Sequence, residues 1–510
     1  MGGSSFRNDR RRSVSGDVIV LWRFFREYNL IQGEIIMFDI ILRGGTVVTP
    51  HGVATQDLAI KGETIEALTR PNIIPDNQAK RCVDTSEKIV VPGGIDPHVH
   101  CKWHMPMPDG SVSYTEGPEV VSRAALYGGT TTMLDFAARQ EEIPLKDVIK
   151  KRDEDWVDNC YCDYAYHLML LGDIEPPVLK ELEDLIPNGY PTVKIFTTNI
   201  TPSRSGRMVH FGDIWEVFKI ITRTKGLGVI HAEDNDLVMH MYEKLIREGR
   251  VSFHNLAEVH SALSEDLSFR RVIRLAGSEK TPLYMMHVSA GTGVQAIREA
   301  RAKGQPIYGE TLHQYMLYNS DDYKRPNGQI YHTYPSLKSP ADQAELWNGT
   351  LDGSINSVAT DEICCSLQLK TIGGRIDDTT GGNAGVEPRL SVMYHEMVTQ
   401  RGYSLEKFVD LCSTNAAKIM GMYPRKGAIA VGSDADIAVL DPTIKKTVKL
   451  EDLHEADYSP WEGHQITAWP VMTLLRGKIM VENGKFYGDL SDGKYLDRSI
   501  SEDILSGPTL

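Results

Sequence analysis

Hydrophobic and polar positions change rhythm twice along this chain. From Met37, FDIILRGGTVVTPHG runs in short apolar pieces broken by Gly and Pro, and DLAIKGETIEAL repeats the style. This is the pattern of short strands and turns. After Ile89-Val90-Val91 the rhythm lengthens into strands alternating with helices. The strand candidates are Gly94–His100, Thr130–Ala137, Asp163–Leu170, Thr192–Thr197, Gly228–Glu233, Pro282–Ser289, Pro306–Thr311 and Ile355–Asp361. Helical spacing marks Glu119–Tyr127 (closed by Gly128-Gly129), Ile214–Thr224, Asp236–Glu248 and Gly293–Lys303. Eight such alternations predict a (β/α)8 TIM barrel over residues 93–424, in preference to an open doubly wound sheet. A helical run, SLEKFVDLCSTNAAKIMG, ends it. Then GAIAVGSDADIAVLDP and WPVMTLLRGKIMVENGKFYG return to the short-strand style.

The predicted architecture is therefore α/β: a TIM barrel with a β-sandwich built from both chain ends, residues 37–92 and 425–488. Residues 489–510 form a polar tail, expected on the surface or against a neighbouring subunit. Residues 1–36 differ from the rest. Arg10-Arg11-Arg12 precedes an apolar run, Val18–Trp22, that stops at Arg23, too short for a signal-peptide core. They are expected to be a disordered extension.

Composition narrows the function classes. A net charge of -14 disfavours nucleic acid and anionic membrane as partners. No apolar run reaches the length of a membrane span. The seven cysteines are Cys82, Cys101, Cys160, Cys162, Cys364, Cys365 and Cys412. They form no C-x-x-C pair and suit neither a disulfide framework nor a thiolate zinc site. A reducing cytoplasm is the expected compartment.

The chemistry collects at strand ends. Alternate side chains of a strand share a face, so His98 and His100 can hold one ion together. Lys194 lies inside an apolar strand, His231 and His287 follow two others, and Asp361 ends the last. In a TIM barrel these positions converge on the catalytic face. Histidine and carboxylate suit zinc, and also manganese or iron. Four imidazoles and one carboxylate carry too little negative charge for two divalent ions. A buried lysine near cations has a lowered pKa. Its free amine can take up carbon dioxide as a carbamate, which can bridge two metals.

VPGGIDPHVH, GGTTTMLDF, TVKIF, VIHAED, HVSAGTG, YGET, ATDEICC, GVEPR, STNAAKIMGMYPRKGAIAVGSDADIAVLDP and YSPWEG follow in order between about Phe38 and Tyr487. In these the chain resembles the cyclic-amide branch of the amidohydrolase superfamily, the hydantoinases and dihydropyrimidinases. The resemblance implies that His98, His100 and Asp361 hold one divalent ion and His231 and His287 the other. Lys194, as N6-carboxylysine, would bridge them. Zinc is the first choice. The implied substrate is a small cyclic amide or imide, of the dihydropyrimidine or 5-substituted hydantoin type. It is opened by a metal-bridging hydroxide with Asp361 as proton shuttle. The implied assembly is a homotetramer. The non-catalytic scaffolds of the collapsin-response-mediator type lose metal ligands, whereas all six stand here.

Departures from that pattern bear on the substrate. Hydantoinases commonly carry an oxyanion-holding tyrosine five residues after the bridging lysine; here that position is Asn199. The same metal centre acting on a linear amide, urea or carbamate is the alternative. Glu362 follows the metal aspartate, where relatives often have His or Asn. Trp103, Met105 and Met107 in the loop after the first strand suggest an apolar substituent, with His104 as surface. Tyr315, through nearby backbone groups, and Asn383 are the expected contacts to the ring amide. Cys364 and Cys365 are read as packing residues, and Arg204 and Arg207 as solvated loop charges.

Overall fold

The computed structural model describes residues 37–107 and 110–510. The expectation for residues 1–36 lies outside them. Eight parallel strands build the centre: β1 (Gly94–Asp96), β2 (Thr130–Ala138), β3 (Asp163–Met169), β4 (Thr192–Phe196), β5 (Leu227–His231), β6 (Leu283–Met285), β7 (Ile307–Leu312) and β8 (Ser357–Ala359). They pair neighbour to neighbour in chain order. β4 and β5 are buried at every position, as parallel strands must be when helices cover one face and the barrel core the other. The covering helices bury one stripe each. Phe211–Arg223 buries Ile214, Val217, Phe218 and Ile221, at helical spacing.

Closure between β8 and β1 runs just beyond the named strands. The Glu362 N–H donates to the His98 carbonyl at 3.2 Å, and the His100 N–H to the Glu362 carbonyl at 2.9 Å. A side-chain bond reinforces the seam: Thr360 Oγ1 donates to Asp96 Oδ2 at 2.6 Å. The loops bearing the first and last candidate ligands are thus bonded directly to each other.

Local chemistry sets the helix ends. Pro118–Tyr127 starts with proline in its first turn and stops at Gly128. A Cβ there would lie 2.1 Å from the Glu387 carbonyl oxygen, so only glycine fits. Asp234 caps Asn235–Arg247 by accepting the Leu237 N–H.

The two β-rich chain ends meet in one nine-stranded sheet. Ile437–Asp441 pairs antiparallel with Ile89–Pro92, in the register Ile437 to Pro92. Phe38–Thr49 breaks register between Leu42 and Gly45. It takes Ala79–Asp84 along its first half and Ile89–Pro92 along its second. Leu42, Val47, Leu58, Ile65, Val90, Ile437, Val439 and Leu474 close on one core.

The tail lies on the surface of its own barrel, exposed or half-buried at most positions. It runs back across the N-terminal end of its own barrel, because its backbone and Arg498 complete groups that the strand starts leave open. The Leu496 N–H donates to the Tyr164 carbonyl, Arg498 Nη2 to the Tyr166 carbonyl at 2.5 Å, and the Tyr308 hydroxyl to the Ile504 carbonyl. Among the described residues, no helix is long and apolar enough to cross a membrane.

Candidate metal centre and active site

All six side chains singled out at strand ends stand at the C-terminal end of the barrel, around one cavity of about 740 Å³. His98 Nε2 and His100 Nε2 lie 3.0 and 3.1 Å from Asp361 Oδ1. One ligand atom from each of the three falls within 4.8 Å of the others, the span of a single metal site. The rings of His231 and His287 sit 4.4 Å apart, and His287 is 5.4 Å from the His98 ring. Backbone geometry aims two of these groups: His287 and Asp361 have φ of 38° and 53°. Side-chained residues seldom adopt that region, and such strain gathers at functional sites.

Lys194 is 1% exposed. Its Nζ lies 2.9 Å from Met286 Sδ, 4.9 Å from the Phe196 ring centre and 5.6 Å from that of Phe136. Those neighbours solvate a cation poorly. Burial draws the amine down to about 7, against the weaker upward pull of Glu310 and Asp361. The imidazoles divide. Burial lowers His231 to about 4. His287 falls well below its ordinary value through burial and the charges of His231 and Lys194. Burial also opposes charge on His98, but Asp361 and Glu310 overcome it and raise the ring to about 9. Asp361 is held well below the usual carboxylate range: burial opposes this, and His98 and His100 outweigh it.

Supporting carboxylates were not singled out in the sequence. Glu310 on β7 binds His98 Nδ1 at 2.8 Å, accepts the His287 N–H at 3.1 Å and accepts the Tyr284 hydroxyl at 2.8 Å. Glu233 binds His231 Nε2 at 3.1 Å and His260 Nδ1 at 2.8 Å. Carboxylates so placed fix the ring tautomer and orientation of a ligand histidine. Thr333 Oγ1 donates to Asp361 Oδ2 at 2.7 Å, pinning that carboxylate from behind. The one sequence signal for these groups was position: Glu233 and Glu310 stand near strand ends, as the ligands do.

Four imidazoles, one carboxylate and one buried amine fit a divalent metal centre. The His98–His100–Asp361 group fits one ion by distance alone.

The expected substrate contacts separate. Trp103 lines the cavity, with its ring edge-on to His100 at 5.1 Å and its Nε1 donating to Asp135 Oδ1. Met105 and Met107 also line it, packed against Cys365. His104, expected as surface, is exposed and stands at the mouth of the same cavity. The side-chain polar atoms of Asn199, Tyr315 and Asn383 are used in holding loops, and none of the three residues lines the cavity. The contact expected at Tyr315 is through nearby backbone groups, which its hydroxyl does not concern. Asn199 Oδ1 accepts the backbone N–H groups of Arg207 and Met208 at 3.0 and 2.9 Å. The Tyr315 hydroxyl donates to the Pro335 carbonyl. The Asn383 amide nitrogen, correctly oriented, donates to the carbonyls of Gly382, His332 and Ile330. Glu362 lies in the closure seam, where Oε2 accepts the N–H groups of Gly385 and Val386. Cys364 and Cys365 are buried, as packing residues should be. One reading is corrected: Arg204 and Arg207 are not free solvated charges but line the cavity, because the Asn199 bonds fold their loop inward.

Comparison with known proteins supplies the family. Residues 240–480 match the model of the Amidohydrolase family. The chain is 32% identical over 471 residues to a D-hydantoinase of Geobacillus stearothermophilus, an alignment covering 90% of this chain and 96% of that one. This chain belongs to the hydantoinase/dihydropyrimidinase family of the amidohydrolase superfamily. A Ralstonia pickettii D-hydantoinase is also 32% identical, over 90% of this chain and 99% of its own. The crystal structure of a dihydropyrimidinase from Brevibacillus agri NCHU1002 superposes with a TM-score of 0.85 at 31% identity, covering 91% of this chain and 99% of that one. The family membership therefore spans both the barrel and the sheet built from the chain ends.

Proposed function

We propose that this protein is a hydrolase that opens the C–N bond of a cyclic amide or imide, of the dihydropyrimidine or 5-substituted hydantoin type. The observation that carries the reading is the convergence of His98, His100, Lys194, His231, His287 and Asp361 on one cavity. His98, His100 and Asp361 would hold one divalent ion, and His231 and His287 a second. Lys194 would bridge them as a carbamate. Two such ions, zinc first and manganese or iron by the same ligands, supply a polarised carbonyl and water acidic enough to react near neutral pH.

The chain's own groups do the rest. Asp361 is fixed through Oδ2 by Thr333, and its Oδ1 stands beside the Nε2 atoms of His98 and His100. Water adds to the ring carbonyl carbon, and its proton passes to Asp361. As the C–N bond breaks, Asp361 returns that proton to the departing nitrogen. Glu310 and Glu233 keep His98 and His231 in single orientations. Trp103, Met105 and Met107 form an apolar wall for the substituent. The homotetramer implied by family resemblance is the proposed assembly.

A second reading, hydrolysis of a linear amide or urea on the same centre, is favoured by one observation. Asn199, where hydantoinases commonly have their oxyanion tyrosine, is turned into its own loop. The test is ring opening of dihydrouracil and 5-substituted hydantoins against linear ureas, with bound metal measured on the same sample. Turnover of the rings with about two ions per chain is the expected result. Turnover of the linear compounds alone overturns the cyclic reading. A metal content near zero after metal supplementation overturns both.

A further inference from the structure

The cavity that the six candidate ligand side chains line is lined also by two guanidinium groups, and among the described residues neither has a counter-ion. Arg204 and Arg207 both line it. Arg207 Cζ stands 5.1 Å from the centre of the Phe196 ring, and Lys194 Nζ stands 4.9 Å from the same centre. Both cations thus stand over one aromatic ring. Arg204 Cζ stands 5.3 Å from the centre of the Tyr334 ring, which also lines the cavity.

The acids of that rim are otherwise engaged. Asp377 pairs with Arg375 at 2.8 Å, and Asp378 Oδ1 accepts the Arg375 backbone N–H at 2.7 Å. Asp361 faces His98 and His100. Among the described residues, neither guanidinium makes a hydrogen bond or ion pair to a protein group. Burial, then the like charge of Arg204, draws Arg207 down to about 9. Two unpaired like charges at a half-buried wall are costly to fold, and they suit an anion that arrives with the substrate. Arg is the side chain that binds carboxylate with two parallel bonds. The loop is held for this: Asn199 Oδ1 receives the backbone N–H groups of Arg207 and Met208.

We propose that Arg204 and Arg207 form a subsite for a carboxylate on the substituent of the ring, so that the preferred substrate is a cyclic amide with a short acidic arm. This deepens the function proposed above and rests on it. The ring carbonyl lies at the ligand cluster, and the arm passes the Phe196 edge to reach the guanidinium pair.

The experiment compares a hydantoin bearing a 5-carboxyethyl arm with its neutral 5-carbamoylethyl isostere. Both are tested on the metal-loaded wild type, Arg207→Gln and Arg204→Gln/Arg207→Gln. Wild type is expected to favour the acid in kcat/KM. Arg207→Gln should lower the acid value by roughly 10- to 100-fold, the range of a charge-assisted hydrogen bond, and leave the amide within about threefold. Equal use of acid and amide by wild type overturns the subsite while the hydrolase reading stands. Equal loss of both substrates in Arg207→Gln, at unchanged metal content, also overturns it. If neither ring opens, calorimetric binding of the two compounds decides. Tighter binding of the acid, abolished in the double variant, supports the subsite even as the ring-opening reading fails. Equal binding overturns it.

Discussion

The two ends of the barrel both bury charge, and they treat it in opposite ways. At the N-terminal end Lys426, 1% exposed, meets Asp163 at 2.5 Å, Asp436 at 2.7 Å and Asp434 at 3.0 Å. Arg476 pairs with the same Asp163, and the Lys494 N–H donates to it. This knot ties the barrel, the nine-stranded sheet and the tail together. Burial opposes charge on Lys426, but Asp436, Asp163 and Asp434 prevail and its pKa is raised. At the C-terminal end Lys194 is equally buried, with a thioether and two aromatic rings for company, and its pKa falls to about 7. The same residue type under the same burial is a clamp where acids surround it and an amine of lowered pKa where they do not. Charge that the fold leaves unpaired is where chemistry or ligand belongs.

The largest expected effect breaks this contrast from the top. Lys194→Met should remove bound metal and activity together, beyond the roughly 10- to 100-fold loss typical of a supporting partner. The same variant should make the metal-free protein more stable at pH 6. A lysine whose folded pKa lies near 7 and whose unfolded pKa lies near 10.4 binds more protons when unfolded, so stability rises with pH between those values. Below about 7 the full penalty is present, on the order of a few kcal/mol, and methionine removes it. Denaturant melts of the chelated wild type and variant check this. A variant that is less stable at pH 6 would show that Lys194 is paired after all.

The opposite substitution tests the bottom. Lys426→Met should leave Asp163, Asp434 and Asp436 without their shared cation and cost roughly 3–5 kcal/mol, with turnover per bound metal unchanged. The pH signature is reversed as well. Because its folded pKa is raised, Lys426 contributes stability that is fully present below about 10.4 and is lost as pH rises through the folded value. Wild type should therefore weaken on the alkaline side more steeply than the variant does. Equal alkaline slopes would remove the clamp role.

This contrast also explains which parts were legible in the chain. All eight strands were readable, because short apolar runs set between helical stripes and turn signals read as buried strands. The six candidate positions followed because His98, His100, His231, His287 and Asp361 stand at equivalent strand ends and Lys194 interrupts an apolar strand. The partners were not legible. Glu310 meets His98 across 212 positions of sequence and Lys426 meets Asp163 across 263, and no local pattern encodes such pairings. Arg204 and Arg207 read as solvent-facing because charge on a loop usually is. Only the inward fold held by Asn199 turns them to the cavity. The tail reads as polar and on the surface, but nothing in its sequence says that its backbone and Arg498 seal the strand starts.

Glu310 sharpens the comparison, since it is a fully paired charge in the unpaired half. Its carboxylate serves His98 Nδ1, the His287 N–H and the Tyr284 hydroxyl at once, so its pairing resembles the clamp below. Its task differs, because two of those partners belong to proposed metal-ligand residues. Glu310→Gln keeps the volume and one acceptor but removes the charge that helps raise His98 to about 9. It should weaken metal retention by roughly 10- to 100-fold and cost less stability than Lys426→Met, since the amide still satisfies part of the network. Metal release against a competing chelator, measured beside the melting midpoint, separates the two. A loss of stability at full metal affinity would place Glu310 with the structural clamp and move the boundary between the two ends up to the ligand layer itself.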